Sequence, residues 1–233
     1  MQLTKQQIDK LYEFTIQHYV EWYDLQTELV DHLANSIEEQ WKQNPKLSFE
    51  DALQLEFKKF GVCGFMDVVE ERQVSLNKKY NKLVWSHFKG FFTLPKIIGT
   101  LAAFSALILL MLRFQFAHVI IVSVFIISGL IFLVGMIKLS RKNKKQTKIS
   151  GKKWLYNDII HGFGAFGGLM FIPIQIAFQL ADNSQFNPIF AVFISSTLVS
   201  VLLFGYIILV IIPSKAEQYL KETYPEYELA NKV

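Results

Sequence analysis

Acidic residues and a histidine share one face of a predicted helix near the start of the chain. Glu28, Asp31 and His32 stand at positions i, i+3 and i+4, so Glu28 lies beside both of the others on an α-helix. Carboxylate and imidazole groups at such spacings can bind a metal in a helical bundle. A di-metal bundle needs a second Glu-x-x-His motif, which the sequence lacks. We therefore predict a solvated polar face, suited to an interaction, rather than a metal site.

A second set of ionisable residues lies at the start of a predicted membrane helix. Asp158 and His161 stand at i and i+3, so they share a helical face. An ionisable pair inside a membrane suggests proton or ion handling. Both residues are close to Trp154, however, at a depth where side chains can reach the headgroups. They form a candidate membrane polar pair, either functional or interfacial.

The rest of the sequence offers no catalytic arrangement. No Ser/His or paired-carboxylate set lies at matched depth in the predicted membrane helices, so we predict that the chain is not an enzyme. Gly164 and Gly168 form a Gly-x-x-x-Gly motif, which favours close helix packing within the bundle or in a homo-oligomer. We expect no catalytic, cofactor-binding or metal-binding residues and no cofactor.

Four apolar runs follow the charged first part of the chain. A transmembrane helix needs about 20 apolar residues, and the runs predict membrane helices at about 94–113, 117–139, 156–180 and 189–212. The predicted fold class is therefore all-α. A soluble N-terminal helical domain of about four helices, residues 1–89, precedes four transmembrane helices in two hairpins, residues 90–213.

Charge is divided sharply along the chain. Residues 1–71 carry 14 acidic and 6 basic side chains, whereas residues 72–96 carry six bases and residues 138–153 carry eight, with no acid in either segment. The positive-inside rule then predicts a multi-pass protein of the bacterial inner membrane with both termini in the cytoplasm. The lipid bilayer is its expected surrounding. No direct nucleic-acid binding is expected, because the basic residues lie in two segments beside the predicted membrane helices.

The second basic segment is predicted to form a cytoplasmic loop, residues 140–153. Its basic side chains are expected to contact anionic lipid, and they are Arg141, Lys142, Lys144 and Lys145. Residues 214–233 are predicted to form a cytoplasmic tail. We expect this tail to be solvated, with an amphipathic docking helix as the alternative.

The head, residues 1–89, shows the start signals and spacing of four amphipathic helices. Thr4 and Gln7 form a capping box before the first helix, and Ser48 precedes the third. Gly61 is placed just after the third helix, where a positive φ suits glycine. An apolar stripe of residues four apart marks the second helix, namely Leu25, Leu29, Leu33, Ile37 and Trp41. We expect the head to fold without the membrane.

Three short motifs of the head resemble a known bacterial family. Residues 28–33 read Glu-Leu-Val-Asp-His-Leu, residues 48–53 read Ser-Phe-Glu-Asp-Ala-Leu, and Phe60-Gly61 closes the pattern. The order and spacing are similar to the HAAS-type helical signalling domain, which is usually fused to transmembrane helices and often encoded beside a PadR-type regulator. The resemblance covers about residues 10–75 and implies signalling or regulation, with no chemistry.

Two functions from different classes follow from the sequence. The first is a membrane-anchored regulatory, signalling or scaffolding protein whose head binds a cytoplasmic protein through an acidic surface. That surface comprises Glu28, Asp31, His32, Glu38 and Glu39, and the partner class that the resemblance implies includes a transcription regulator. The second is a small transporter or transporter accessory subunit that uses Asp158 and His161. The sequence does not identify the ligand, the partner or the oligomeric state.

Overall fold

The computed structural model of the chain describes residues 2–162, 175–176 and 187–227. Helices joined by short turns account for nearly all of these residues, and none of them lies in a strand. The predicted all-α fold class is therefore confirmed over the described part of the chain.

The head contains α1 (Lys5–Gln17), α2 (Tyr23–Gln43), α3 (Phe49–Lys58) and α4 (Met66–Lys89). The predicted capping box is present, because the Thr4 hydroxyl accepts from the Gln7 amide and the Gln7 side chain accepts from the Thr4 amide. Ser48 caps α3 through the Asp51 amide at 3.1 Å. Gly61 has the expected positive φ of 78°, although Lys59 is the cap residue of α3. The apolar stripe of α2 is buried along its whole length.

Among the described residues, three helices are long and apolar enough to cross a membrane: α5 (Lys96–Arg113), α6 (Ala117–Ser150) and α8 (Pro188–Ser214). They agree with the first, second and fourth predicted membrane helices. Helix α8 contains a π-helical segment, Ile207–Ile211. Gly135 of α6 lies so close to this segment that a Cβ atom there would stand 2.8 Å from the Leu209 methyl groups. The glycine therefore lets α6 and α8 approach closely.

The predicted third membrane helix, residues 156–180, is wrong at Gly162. Helix α7 (Leu155–His161) ends there, and Gly162 has an extended backbone with φ −93° and ψ 176°. Glycine in a helix costs about 1 kcal/mol relative to alanine, which favours a break at this point. Residues 163–174 and 177–186, including Gly164 and Gly168, lie outside the described residues.

The predicted basic loop, residues 140–153, is wrong over residues 140–150, because the helix that was expected to end at residue 139 continues to Ser150. Helix α6 has 34 residues and is about 51 Å long at 1.5 Å per residue, well beyond a hydrocarbon core of about 30 Å. No glycine or proline interrupts residues 138–150, and the lysines, Arg141 and Gln146 favour helices. Gly151 ends α6 with φ 66°.

The predicted solvated tail is also wrong over residues 216–227. Helix α9 is formed by Ala216–Thr223, and Tyr219, Leu220 and Tyr224 are buried. These residues recur at i, i+1 and i+5 and form one apolar stripe, as in the docking helix considered as the alternative. Residues 228–233 lie outside the described part.

One continuous hydrophobic core joins the head to the near end of the membrane helices. It includes Leu33 of α2, Ile160 of α7, Met136 of α6 and Leu220 of α9. A second cluster holds the far ends of α5, α6 and α8 together, and it consists of Met111, Ile121, Phe125, Ala191, Ile194 and Leu198. The head therefore shares its core with the membrane helices, and independent folding of the head stays a prediction.

Candidate functional site

The head meets the membrane helices at a polar contact built from distant parts of the chain. We call it the junction and define it as residues 21–24, Asn143, residues 153–158 and Tyr224. These residues belong to the start of α2, the extended end of α6, the start of α7 and the turn after α9. A displacement of one of these elements can therefore be transmitted to the others through the junction.

Asp158 is the centre of the junction. Its Oδ2 atom accepts from the Trp22 indole nitrogen at 2.9 Å, and its Oδ1 atom accepts from the Asn143 amide at 2.7 Å. The Lys153 ammonium lies 3.2 Å from Oδ2. The Asn143 amide oxygen accepts in turn from the Asn157 side chain at 2.6 Å. One carboxylate therefore connects the head, α6 and α7 by charge-assisted hydrogen bonds.

Lys153 adds a second connection between the head and the membrane part. Its ammonium lies 2.7 Å from the Glu21 carboxylate and 4.9 Å from the centre of the Trp22 ring. Its carbonyl accepts from the Tyr23 amide at 2.7 Å. Burial lowers the pKa of the Lys153 ammonium, but hydrogen bonding to Glu21 and the charge of Asp158 outweigh burial and raise it. Lys153 is therefore held in its charged form.

The first turn of α7 is capped by side chains from other elements. Trp154 stands at its N-cap position and makes no side-chain cap bond. The Leu155 amide instead donates to Asp24 Oδ1 at 3.1 Å, and the Tyr156 amide donates to the Tyr224 hydroxyl at 3.2 Å. Since the first amides of a helix have no partner within the helix, α7 depends on α2 and on the C-terminal segment for its N-terminal bonds.

Asp24 is a buried carboxyl group with only 6% of its surface exposed. Burial raises the pKa of Asp24 above its ordinary value, against the opposing effects of the Tyr224 hydroxyl and the Leu155 amide. Burial likewise raises the pKa of Tyr224, and the neighbouring Asp24 charge raises it further. Burial therefore favours the uncharged form of both groups, because removing a charge from water is costly.

Trp154 fills the space behind these bonds. Its ring lies 5.4 Å from that of Tyr23, 4.9 Å from that of Tyr224 and 5.0 Å from that of Tyr227. Trp154 and Tyr156 are both buried within the protein. Aromatic side chains from the head, α7 and the C-terminal segment thus pack as one cluster.

A polar cleft of about 430 Å³ opens beside Asp158, between α4 and α7. Gln73, Asn77 and Asn81 line it from α4, and they are spaced four residues apart on one face. The Asn77 side-chain oxygen is buried without a hydrogen-bond partner in the described residues. The cleft has the volume of a small-molecule site, and its amides could hydrogen-bond a polar ligand.

The structure separates the two members of the predicted polar pair. Asp158 bonds to Trp22, Asn143 and Lys153, whereas the His161 Nδ1 atom lies 3.0 Å from the Asn157 carbonyl one turn earlier in α7. Within the described residues, no hydrogen bond joins Asp158 to His161. The two residues do share one helix, α7, but Asp158 faces the head and the extended end of α6.

The predicted interaction surface lies on α2, where Glu28, Asp31, His32 and Glu39 are exposed. The structure places His32 near a buried carboxylate, Glu56 of α3, with 3.7 Å between the Nε2 and Oε1 atoms. Lys59 also binds Glu56, and its effect lowers the pKa of that carboxyl although burial opposes it. Over the described residues, no three His, Cys, Asp or Glu side chains are arranged to hold a metal ion.

The remaining acids of the surface differ in how far their charge is neutralised. Glu38 accepts from the Leu3 amide at 3.0 Å, and Glu39 forms an ion pair of 2.8 Å with Lys42. Glu28 and Asp31 make no ion pair in the described residues. The least compensated charge of the predicted surface is therefore at Glu28 and Asp31.

All four predicted lipid-contacting residues are exposed on the extended part of α6, namely Arg141, Lys142, Lys144 and Lys145. Asn143 between them faces inward and is buried. The charge remains available to an anionic surface, but it is presented by a helix instead of a loop.

The chain matches no family model, no curated protein and no solved structure. The resemblance to the HAAS-type domain stays a prediction. Sequence reasoning missed Trp22, Asp24, Asn143 and Tyr224 as junction residues, because each finds its partner far along the chain. A local signal existed only for Tyr224, which belongs to the apolar stripe of the C-terminal segment.

Proposed function

We propose that this chain is a membrane-anchored regulatory or signalling protein, or a scaffold, whose helical head binds a cytoplasmic partner. In this proposal it resides in the bacterial inner membrane, and both termini are cytoplasmic. The proposal takes α5, α6 and α8 as three passes and keeps the predicted total of four. The basic residues of the extended α6 support this orientation, since they belong on the cytoplasmic side.

The observation that supports the proposal most is that α2 is bonded to the membrane part at its start and exposes acidic residues further along. Its first residues, Trp22 to Asp24, are bonded to α7 and to the loop before it. Glu28 and Asp31 are exposed one and two turns further along the same helix. A rigid helix rises 1.5 Å per residue, so Asp31 is only about 10 Å from Asp24. A displacement of α7 would therefore move the acidic surface directly.

The charge of this surface indicates the chemistry of the partner. An exposed pair of carboxylates without ion pairs would attract a basic protein surface and speed its association. The HAAS-like motifs suggest a transcription regulator as one such partner. A second copy of the chain is the alternative partner, through a homo-oligomer.

The contacts of Asp158 favour regulation over transport. A transport site needs ionisable partners on other membrane helices, whereas Asp158 bonds to the head residue Trp22 and to Asn143 at the extended end of α6. The proposal therefore gives Asp158 a structural role in connecting head and membrane. It also predicts no enzymatic activity.

Photo-cross-linking in cells tests the proposal. A photoreactive amino acid replaces the exposed Asn35 in the full chain, one turn beyond Asp31 on α2. We expect a cross-link to another protein, and we expect the double substitution Glu28→Lys and Asp31→Lys to abolish it. With the purified chain and its purified partner, the same double substitution should slow association and weaken the dependence of the association rate on salt.

A matched control makes the same charge change elsewhere on the head. Glu70 and Glu71 of α4 are exposed, and their replacement by lysine should leave the cross-link intact. Cross-links found only to residues 140–153 of the same chain would refute the proposal, because the acidic surface would then be used for internal docking.

A further inference from the structure

A large apolar groove runs between α5 and α8. It has a volume of about 770 Å³, within the range of small-molecule and lipid pockets. Its lining includes three small residues of α5, Gly99, Ala103 and Ala106, and the larger Leu203 and Tyr206 of α8. Both walls are helices that can cross a membrane. The groove therefore lies at the depth of the lipid acyl chains.

The groove has a cationic opening at the end nearest the head. Lys96 begins α5 and lines the groove, and Lys215 follows groove-lining Ile211 by four residues. Lys215 directly follows the last residue of α8, one turn beyond Ile211, so it stands at the same end of the groove as Lys96. Burial lowers the pKa of His87, and the charges of Lys215 and Lys96 lower it further. His87 itself is hydrogen-bonded to the Tyr219 hydroxyl at 2.9 Å.

We propose that this groove binds one anionic phospholipid, with an acyl chain between α5 and α8 and the phosphate between Lys96 and Lys215. The shape and the charge both support this occupant. An apolar channel with two cations at one end matches an amphiphile with an anionic head. The site is independent of the proposed partner surface on α2 and is separate from the basic residues of α6.

Headgroup charge supplies the selectivity of such a site. An acyl chain leaves one apolar environment for another when it enters the groove, so chain burial alone distinguishes no lipid class. Each basic residue near the surface favours an anionic lipid by about 1 kcal/mol, or about fivefold. Two such residues predict a preference of about 30-fold for phosphatidylglycerol over phosphatidylcholine.

Electron paramagnetic resonance with spin-labelled lipids tests the site in the full-length protein. The protein is reconstituted into phosphatidylcholine vesicles that contain a trace of nitroxide-labelled phosphatidylglycerol or phosphatidylcholine. We expect one motionally restricted phosphatidylglycerol per chain with the preference given above. Lys96→Gln with Lys215→Gln should reduce that preference to near that of phosphatidylcholine. Ala103→Phe should displace the lipid without changing any charge.

Two control variants separate this site from general attraction. Lys138→Gln with Lys148→Gln removes the same charge from α6 at exposed residues outside the predicted lipid-contacting set, and Leu109→Phe adds bulk at an exposed α5 position that does not line the groove. Both should retain the restricted lipid. Retention in the Ala103→Phe variant, or equal loss in the α6 variant, would overturn the proposal. Absence of a restricted phosphatidylglycerol in the unaltered protein would overturn it as well.

Discussion

The Trp22 indole nitrogen donates to Asp158 Oδ2 at 2.9 Å, although the two residues are 136 positions apart. Trp22 precedes the first turn of α2 in the head, and Asp158 lies in α7. The bond therefore joins the head to the segment that leads into the membrane part.

We expect Asp158→Ala to lower the free energy of unfolding by about 1–2 kcal/mol. The substitution leaves Trp22 and Asn143 without their acceptor, and hydrogen bonds to charged groups contribute about 1.5–3 kcal/mol when well buried. Partial exposure of Asp158 reduces the effect. A double-mutant cycle with Trp22→Phe, followed by thermal unfolding, should give a coupling energy of about 1 kcal/mol. Trp41→Phe is the control. Trp41 donates to the Leu47 carbonyl, away from Asp158, so its effect on the free energy of unfolding should simply add to that of Asp158→Ala.

The stability contributed by Asp24 should decrease as pH rises. Burial holds the folded-state pKa of Asp24 above 3.8, so the folded protein binds this proton more tightly than the unfolded chain does. The contribution is complete below that value and is lost as pH rises through the higher folded pKa. Asp24→Asn removes the titration and keeps an acceptor for the Leu155 amide. Its unfolding free energy, relative to the unaltered protein, should therefore increase from about pH 4 toward pH 7.

Tyr224→Phe provides a second arm of this experiment. The Tyr224 hydroxyl lowers the pKa of Asp24, so its removal should shift the pH-dependent loss of stability to higher pH. A constant difference between Asp24→Asn and the unaltered protein across this range would contradict the assignment.

Tyr19→Gly should stabilise the head by about 0.5–1 kcal/mol. Tyr19 has φ 66° and ends α1, where its amide donates to Ile16 and the Val20 amide donates to Thr15. A helix end with these two hydrogen bonds usually has glycine at the left-handed position, because the left-handed backbone costs other L-residues about 1–2 kcal/mol of stability. The Tyr19 side chain is 78% exposed, so little packing is lost. Chemical denaturation measures the gain, and Tyr19→Ala, which keeps the Cβ atom, should show none.

Both termini should lie on the same side of the membrane as the extended part of α6. Alkaline phosphatase fused after Gln115, between α5 and α6, should be active because the enzyme folds outside the cytoplasm. The same enzyme fused after Lys148 should be inactive. Activity only after Lys148 would invert the orientation and contradict the proposed cytoplasmic head.

Local signals predicted the individual helices well. The capping box at Thr4 and Gln7 and the α2 stripe from Leu25 to Trp41 depend on residues three or four positions apart, which a sequence displays directly. The end of α6 was missed because basic residues suggested a loop, whereas helix propensity continues until Gly151. Charge indicates which side of a membrane a segment occupies, but it does not end a helix.

The junction could not be predicted because its bonds join residues that are far apart in sequence. Asp24 lies in the first turn of α2, but its carboxylate caps α7 instead of its own helix. Nothing near Asp158 indicates that its donor is Trp22. Such pairings depend on the packing of whole helices, and the sequence defines them only through the fold.

Hydrogen–deuterium exchange on the full chain in lipid nanodiscs tests the central claim, that the head, α7 and the C-terminal segment form one unit. Asp158→Ala is compared with the unaltered protein and with Asp51→Ala, a charge loss at the α3 cap outside the junction. We predict faster exchange in residues 22–30, 153–161 and 216–224 together, with no change in residues 107–125. Faster exchange confined to residues 153–161 would contradict the claim, because the three segments would then open independently.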